Sequence, residues 1–339
     1  MATHGPALEG NRKFIWFRPA GRLPTEYEMF TIGQQSSPSE WLTIDWPLRF
    51  DDGSPPYSEL STAVRCSDWE RFRDPAQLWY RPYVAGTNQE EQALERLVGE
   101  TLSHGVAAGI APAWQHQVLE RYYAAWPFVE YGLFLALCHP IRQALGDSVM
   151  FVLAFQAADK MRHLQDIVHL SFELADALPG FDDSGAREAW MADPALVPTR
   201  EVLEQIIGTD DWMEVVTAVT LVFEPLVGDL MTTEFLAKAA PRNGDPVTPM
   251  ILAGTRRNAT RHRSAVKELT SVLVSDPEHG DRNRATISGW VDAWTPRVDA
   301  AAAALSSVFA IPGIDAPDGD QAVASVRAEA GAIRQELGI

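Results

Sequence analysis

The sequence predicts an all-α chain organised on four long helices in two consecutive pairs. Three observations carry that expectation. From about residue 88 onward, apolar residues recur at helical spacing through long runs. No strand-rich region and no internal short-period repeat interrupts them. Helix stop signals fall between the runs: Gly146-Asp147-Ser148, Pro179-Gly180, Pro241-Arg242-Asn243-Gly244 and Asp276-Pro277.

In chain order, residues 1–86 read as an extended, mostly irregular arm. Prolines recur at 6, 19, 24, 38, 47, 55, 56, 75 and 82, a density that stops most helices and central strands. The arm is nevertheless rich in aromatics. Trp16, Phe17, Tyr27, Phe30, Trp41, Trp46, Trp69 and Trp79 all lie in it, and a flexible tail would lack them. Aromatic side chains on an extended segment need a surface, which is either a partner chain or the arm's own domain. Residues 87–339 read as the helical domain. Thr87-Asn88 with Glu90 and Glu91 predicts a first helix to about His104. A second spans about 113–125, and Pro127 opens a third to about Leu145. A central helix runs from Ser148 to Leu178. Short helices follow near 186–191 and 199–207, then long ones over about 211–239, 248–275 and 284–309, and a last one over 321–337.

Composition narrows the function. The 339 residues are 46% hydrophobic and 22% charged, which is globular. A net charge of -18 argues against nucleic acid and against an anionic membrane surface, because both need surplus Lys and Arg. Charge breaks the longest apolar runs, so no segment reads as membrane-spanning. Cys66 and Cys138 form no disulfide framework and suit a reducing cytosol, and the N-terminus has no signal-peptide pattern.

Two helical pairs match the ferritin-like carboxylate bundles, which carry a single Glu on two helices and Glu-x-x-His on the other two. The third helix carries Glu130 in an apolar context. The central helix carries Asp159-Lys160-Met161-Arg162-His163. The next long helix carries Glu224, and the one after it Asn258-Ala259-Thr260-Arg261-His262. Both His residues and both single Glu residues stand in order. Both Glu-x-x-His glutamates are replaced, by Lys160 and Ala259. Glu130 precedes Lys160 by 30 residues and Glu224 precedes Ala259 by 35, the spacing of one helical hairpin used twice. Buried carboxylates are costly unless paired, so the Lys160 ammonium is expected to neutralise Glu130, Glu224 or both, with His163, His262, Arg162 or Arg261 helping. Arg162 can also pair with Asp166 one turn on. Arg256, Arg257, Arg261, Arg263 and Lys267 form a basic stretch that reads as a docking surface or a solvated helix face.

The two pentapeptides resemble each other, and together they resemble a known family. The chain is similar to the β subunit of the hydroxylase of soluble bacterial multicomponent diiron monooxygenases, which act on methane, toluene, phenol, propane and alkenes. Its Trp69-to-Tyr83 stretch, with Phe72-Arg73-Asp74-Pro75 and Tyr80-Arg81-Pro82-Tyr83, and its Arg22-to-Glu28 stretch also resemble that family. The alkene and propane members resemble it most in length and acidity. The resemblance implies a ferritin-like bundle of the ribonucleotide-reductase type. It implies no metal, cofactor or catalytic residue in this chain, with Glu130, Lys160, His163, Glu224, Ala259 and His262 as vestiges of a metal site. It further implies a catalytic α partner holding the diiron centre, a coupling protein and an NADH-dependent reductase, together oxidising a small hydrocarbon with O2. The aromatic arm would then strap across α. Two other readings stay open on the residues: a self-sufficient di-metal enzyme of the desaturase kind, and a helical interaction module.

Overall fold

The computed structural model describes residues 17, 19–32, 53 and 58–339. Trp16, Trp41 and Trp46 lie outside the described residues. Among those described there is no strand. A short α1 (Glu26–Thr31) begins at Thr25, whose hydroxyl accepts from Glu28 N–H while the Glu28 carboxylate accepts from Thr25 N–H. The long helices are α2 (Tyr80–Ser103), α3 (112–143), α4 (Asp147–Ala177), α7 (Trp212–Asn243), α8 (Thr248–Val274), α9 (Gly280–Leu305) and α10 (Gly319–Leu337). Between α4 and α7 lie the short α5 (Ala186–Ala192) and α6 (Val197–Ile207).

Two boundaries differ from the sequence expectation. The first long helix starts at Tyr80 rather than Asn88, so a border at residue 86/87 falls inside it. Pro82 is the reason. In the first turn a proline N–H is not needed, so Pro82 sits within the helix start instead of blocking it. The second and third expected helices are one helix, α3. Pro127 lies inside it, and no Gly or Asn between residues 113 and 126 offers a left-handed stop. Before Pro127 the helix is π-wound over Gln115–Tyr123. α7 is likewise π-wound over Ala218–Gly228, which holds Glu224 and Pro225, and again over Leu230–Leu236. Such wide turns are rare and concentrate at functional sites.

α3 and α4 form one antiparallel hairpin and α7 with α8 the other, and α9 and α10 pack on the outer side of α7. The core between them is dense with large side chains, among them Trp114, Trp126, Trp212, Phe223 and Phe235. Trp114 donates its indole N–H to Asp245 at 3.0 Å, so this buried polar atom is satisfied. α7 is the one helix, among the described residues, long and apolar enough to cross a membrane, and it is the buried centre of the bundle.

The segment before α2 lies on the chain's own bundle. Ala63, Arg65 and Ser67 donate their backbone N–H groups to Asp211 (2.6 Å), Asn283 (2.9 Å) and Asp276 (2.7 Å). These side chains pair backbone groups that an extended strand outside a sheet would leave to water. Tyr27 is 3% exposed, and its hydroxyl accepts from Asp74 N–H at 2.9 Å. Trp69 packs its ring on Trp212 at 5.5 Å. Tyr27 and Trp69 therefore pack on the chain's own domain. Phe17 is half-buried under Arg73, while Phe30 stacks on half-buried Trp79 and stays 36% exposed.

The turn after α7 is the tightest junction. Gly244 has φ +76, and a Cβ there would stand 2.0 Å from the Gly109 carbonyl oxygen. Gly244→Ala is expected to lower stability by at least ~2 kcal/mol, read as a shift in urea midpoint; an unchanged midpoint would show that this junction yields.

Candidate buried charge site

Helical spacing puts Lys160 and His163 on the face of α4 that meets α3 and α7. Glu130 from α3 and Glu224 from α7 meet them there. Lys160 is 6% exposed, Glu130 2%, Glu224 5%, and His163 and His262 3% each. The Lys160 ammonium lies between two carboxylates: it contacts Glu224 Oε1 directly and stands 3.5 Å from Glu130 Oε2. The other Glu130 oxygen, Oε1, is 2.8 Å from His163 Nδ1 and accepts the Trp126 indole N–H at 3.0 Å. Burial alone would push the Glu130 carboxyl up, but the Lys160 charge and His163 outweigh it and hold its pKa at about 2. Burial likewise works against the charged form of Lys160, and the two glutamates overcome it and raise its pKa.

His262 and Arg261 were expected to help this pair. They serve a second centre instead. Asp159, the residue before Lys160, is 5% exposed and points the other way, toward α2 and α8. Its Oδ2 lies 2.8 Å from His262 Nε2 and also meets Arg261, and its Oδ1 accepts the Tyr83 hydroxyl at 2.9 Å. Burial opposes its charge, yet His262 and the two arginines hold the Asp159 carboxyl below its ordinary range. Burial pushes the His262 imidazole down despite Asp159. Arg162 joins Asp159 (3.9 Å) to Glu91 of α2 (3.3 Å) rather than pairing with Asp166. Two polar hubs therefore sit on adjoining faces of α4, one turned to α3 and α7, the other to α2 and α8.

Sequence reasoning missed Asp159 as a hub, along with Tyr83, Glu91 and Trp126. The repeated pentapeptide carried a signal for Asp159, since an acid stands there and an amide at Asn258. Tyr83 lies 76 residues from Asp159, and nothing local marks it. The basic stretch of α8 is knitted to its own chain: Arg257 to Glu90 (2.9 Å), Arg263 to Asp229 (2.6 Å), Arg261 to Asp159 and Lys267 to Glu336.

Beside Lys160, Glu130, Glu224 and Ala259 lies a void of about 20 Å³, roughly the room of one water. This donor set does not fit a metal centre. An ammonium occupies the convergence point, Ala259 brings no donor, and His262 is turned to Asp159. Among the described residues no group of three or more His, Cys, Asp or Glu side chains is arranged to hold a metal ion.

The chain matches the family model described as methane/phenol/alkene hydroxylase over residues 46–277. The small subunit of the propane 2-monooxygenase hydroxylase component of Mycolicibacterium goodii is 32% identical to it, over 96% of this chain and 89% of that protein. The methane monooxygenase component A beta chain of Methylosinus trichosporium is 31% identical, over 84% and 75%. In fold, it superposes on a chain of toluene 4-monooxygenase with a TM-score of 0.75 at 24% identity, covering 84% of this chain and 94% of that one. For phenol hydroxylase from Pseudomonas sp. OX1 the TM-score is 0.79 at 17% identity, covering 93% and 90%.

Two outcomes test the site. Lys160→Met leaves two buried carboxylates without their cation and is expected to cost about 3–5 kcal/mol in urea unfolding. Adding Glu130→Gln and Glu224→Gln should recover most of that loss. A single variant as stable as the parent would mean that Lys160 does not neutralise the pair. The second outcome concerns Asp166, whose carboxyl is pushed up to about 8 by burial and by nearby Glu91. A raised carboxyl binds its proton in the folded state, so its contribution to stability falls as pH rises from about 4 to 8. Asp166→Asn removes that penalty and should stabilise the chain by ~1–3 kcal/mol more at pH 8 than at pH 5; equal gains at both would contradict the raised pKa.

Proposed function

Because this chain belongs to the methane/phenol/alkene hydroxylase family, we propose that it is the metal-free, structural β subunit of the hydroxylase component of a diiron monooxygenase. A catalytic α subunit would hold the iron and oxidise a small hydrocarbon, propane or an alkene by likeness to the relatives above. Electrons would come from an NADH-dependent reductase, with a coupling protein assisting, in the cytoplasm. The free thiols Cys66 and Cys138 fit a reducing compartment.

One observation carries the non-catalytic part of this reading. Where two hairpins converge on one buried point, the charge that balances Glu130 and Glu224 belongs to a side chain, Lys160. The bundle thus balances two buried carboxylates with an ammonium of its own. Its four helices are held in register by its own side chains, which suits a scaffold.

The rest of the arm is the proposed contact with α. Phe17, Phe30 and Trp79 offer aromatic surface, and Trp16, Trp41 and Trp46 would extend it. Each aromatic buried against α would add on the order of 2–3 kcal/mol before ordering costs.

Iron analysis and co-purification test the proposal. The isolated chain should carry no stoichiometric iron and should co-purify with a larger chain bearing two intact Glu-x-x-His motifs. About two irons per isolated chain would overturn the reading in favour of a self-sufficient di-metal enzyme. Removing residues 1–60 should weaken association with α by tenfold or more, roughly the loss of one buried aromatic; undiminished association would locate the contact elsewhere.

A further inference from the structure

A second concave feature lies across α7 from the charge site. A cleft of about 320 Å³ opens between the π-wound turn of α7, α9 and α10. Its floor is apolar: Leu221, Val222 and Leu226 from α7, Val291 from α9 and Ile333 from α10, all buried. On the α10 wall, exposed Gly331 brings no side chain, and a Cβ there would meet nothing within 4 Å. The neighbouring Ala330 leaves the same wall low.

The polar groups on the rim are already engaged with one another. Arg327 forms a two-pronged pair with Asp299 (2.6 and 2.8 Å). Arg334 pairs with Asp292 at 2.7 Å and donates to the Ile339 carbonyl at 2.8 Å, and the Thr295 hydroxyl donates to the Val291 carbonyl at 2.6 Å. Water over an aliphatic floor finds few polar partners, and an enclosed aliphatic cavity of half this volume takes an apolar guest. Each rim guanidinium is matched by a carboxylate, so the cleft offers an anion no uncompensated charge. Another cleft of similar size, between α7, α8 and α10, contrasts with it, for it is lined by Asp229, Glu234, Arg256, Arg263 and Glu329.

We propose that the cleft between α7, α9 and α10 binds a small uncharged apolar molecule, of the size class of benzene or a short hydrocarbon. A pocket at the low end of the ligand-site range, apolar below and polar only at its lip, matches that class. Leu221, Val222 and Leu226 sit on the same π-wound stretch as Glu224, so the guest would rest on the back of the turn that holds the Lys160 partner. The inference concerns binding to this chain alone and does not rest on its role as a β subunit.

Benzene is the test probe, titrated into the full chain carrying methyl-labelled Ile, Leu and Val. The Val222, Leu226 and Ile333 methyl resonances should shift saturably while methyls at the α3–α6 contact, such as Leu203, do not. Ala330→Trp and Gly331→Leu fill the mouth from the exposed side of α10, and each should weaken binding by about tenfold or more. Benzoate should produce no saturable shift. Three outcomes would overturn the proposal: no saturable shift in the parent chain, undiminished binding in both filled variants with native spectra, or benzoate binding as tightly as benzene.

Discussion

The Lys160 ammonium, enclosed with Glu130 and Glu224, is the constraint on which the rest of the bundle depends. Three charges with less than a tenth of their surface in water are tolerable only if they meet. That requirement ties α3, α4 and α7 to one relative height, since a shift of one helical turn, about 5.4 Å, would separate the groups. Apolar packing alone is more forgiving, because hydrophobic surfaces of similar volume can repack. The wide turn in α7 belongs to the same constraint. It carries Glu224 to Lys160 and, on its other side, presents Leu221, Val222 and Leu226 to α9 and α10.

Asp159 extends the constraint to the remaining helices. Standing next to Lys160 on α4, it faces about 100° around the helix, toward Tyr83 of α2 and His262 of α8. One dipeptide therefore connects two polar hubs that together touch α2, α3, α4, α7 and α8. The hubs differ in kind. At Lys160 one cation serves two carboxylates; at Asp159 one carboxylate serves two arginines, an imidazole and a phenol. The imidazoles are alike: His262 rests Nε2 on Asp159 and His163 rests Nδ1 on Glu130, and among the described residues the other ring nitrogen of each is buried without a hydrogen-bond partner.

The described part of the N-terminal segment serves both the bundle and its surface. Residues 63–67 are stitched to Asp211, Asn283 and Asp276, and Tyr27 is locked beneath the turn at Asp74. Phe30 and Trp79 stack on each other and leave a face outward. An aromatic, proline-rich composition required that the segment bury its rings somewhere, without saying on which surface. The same limit appears in the helices. Pro82 and Pro127 read as boundaries because a proline lacks an N–H, yet one sits where no donor is needed and the other follows a π-wound stretch.

By itself the sequence determined the all-α class, the two hairpins and the identity of the charged set, because helical periodicity, caps and the ordered Glu130, Lys160, His163, Glu224 and His262 are local or evenly spaced signals. It also determined that Lys160 had to find carboxylates, since a buried ammonium has no other inexpensive state. Tertiary structure alone decided the rest. That Lys160 takes both glutamates, that His262 and Arg261 turn to Asp159, and that Tyr83 closes that hub depend on which way side chains face across helix contacts. Those directions are set by packing between segments 30 to about 100 residues apart. Local spacing can place a residue on a helix face, but only the neighbouring helix determines what that face meets.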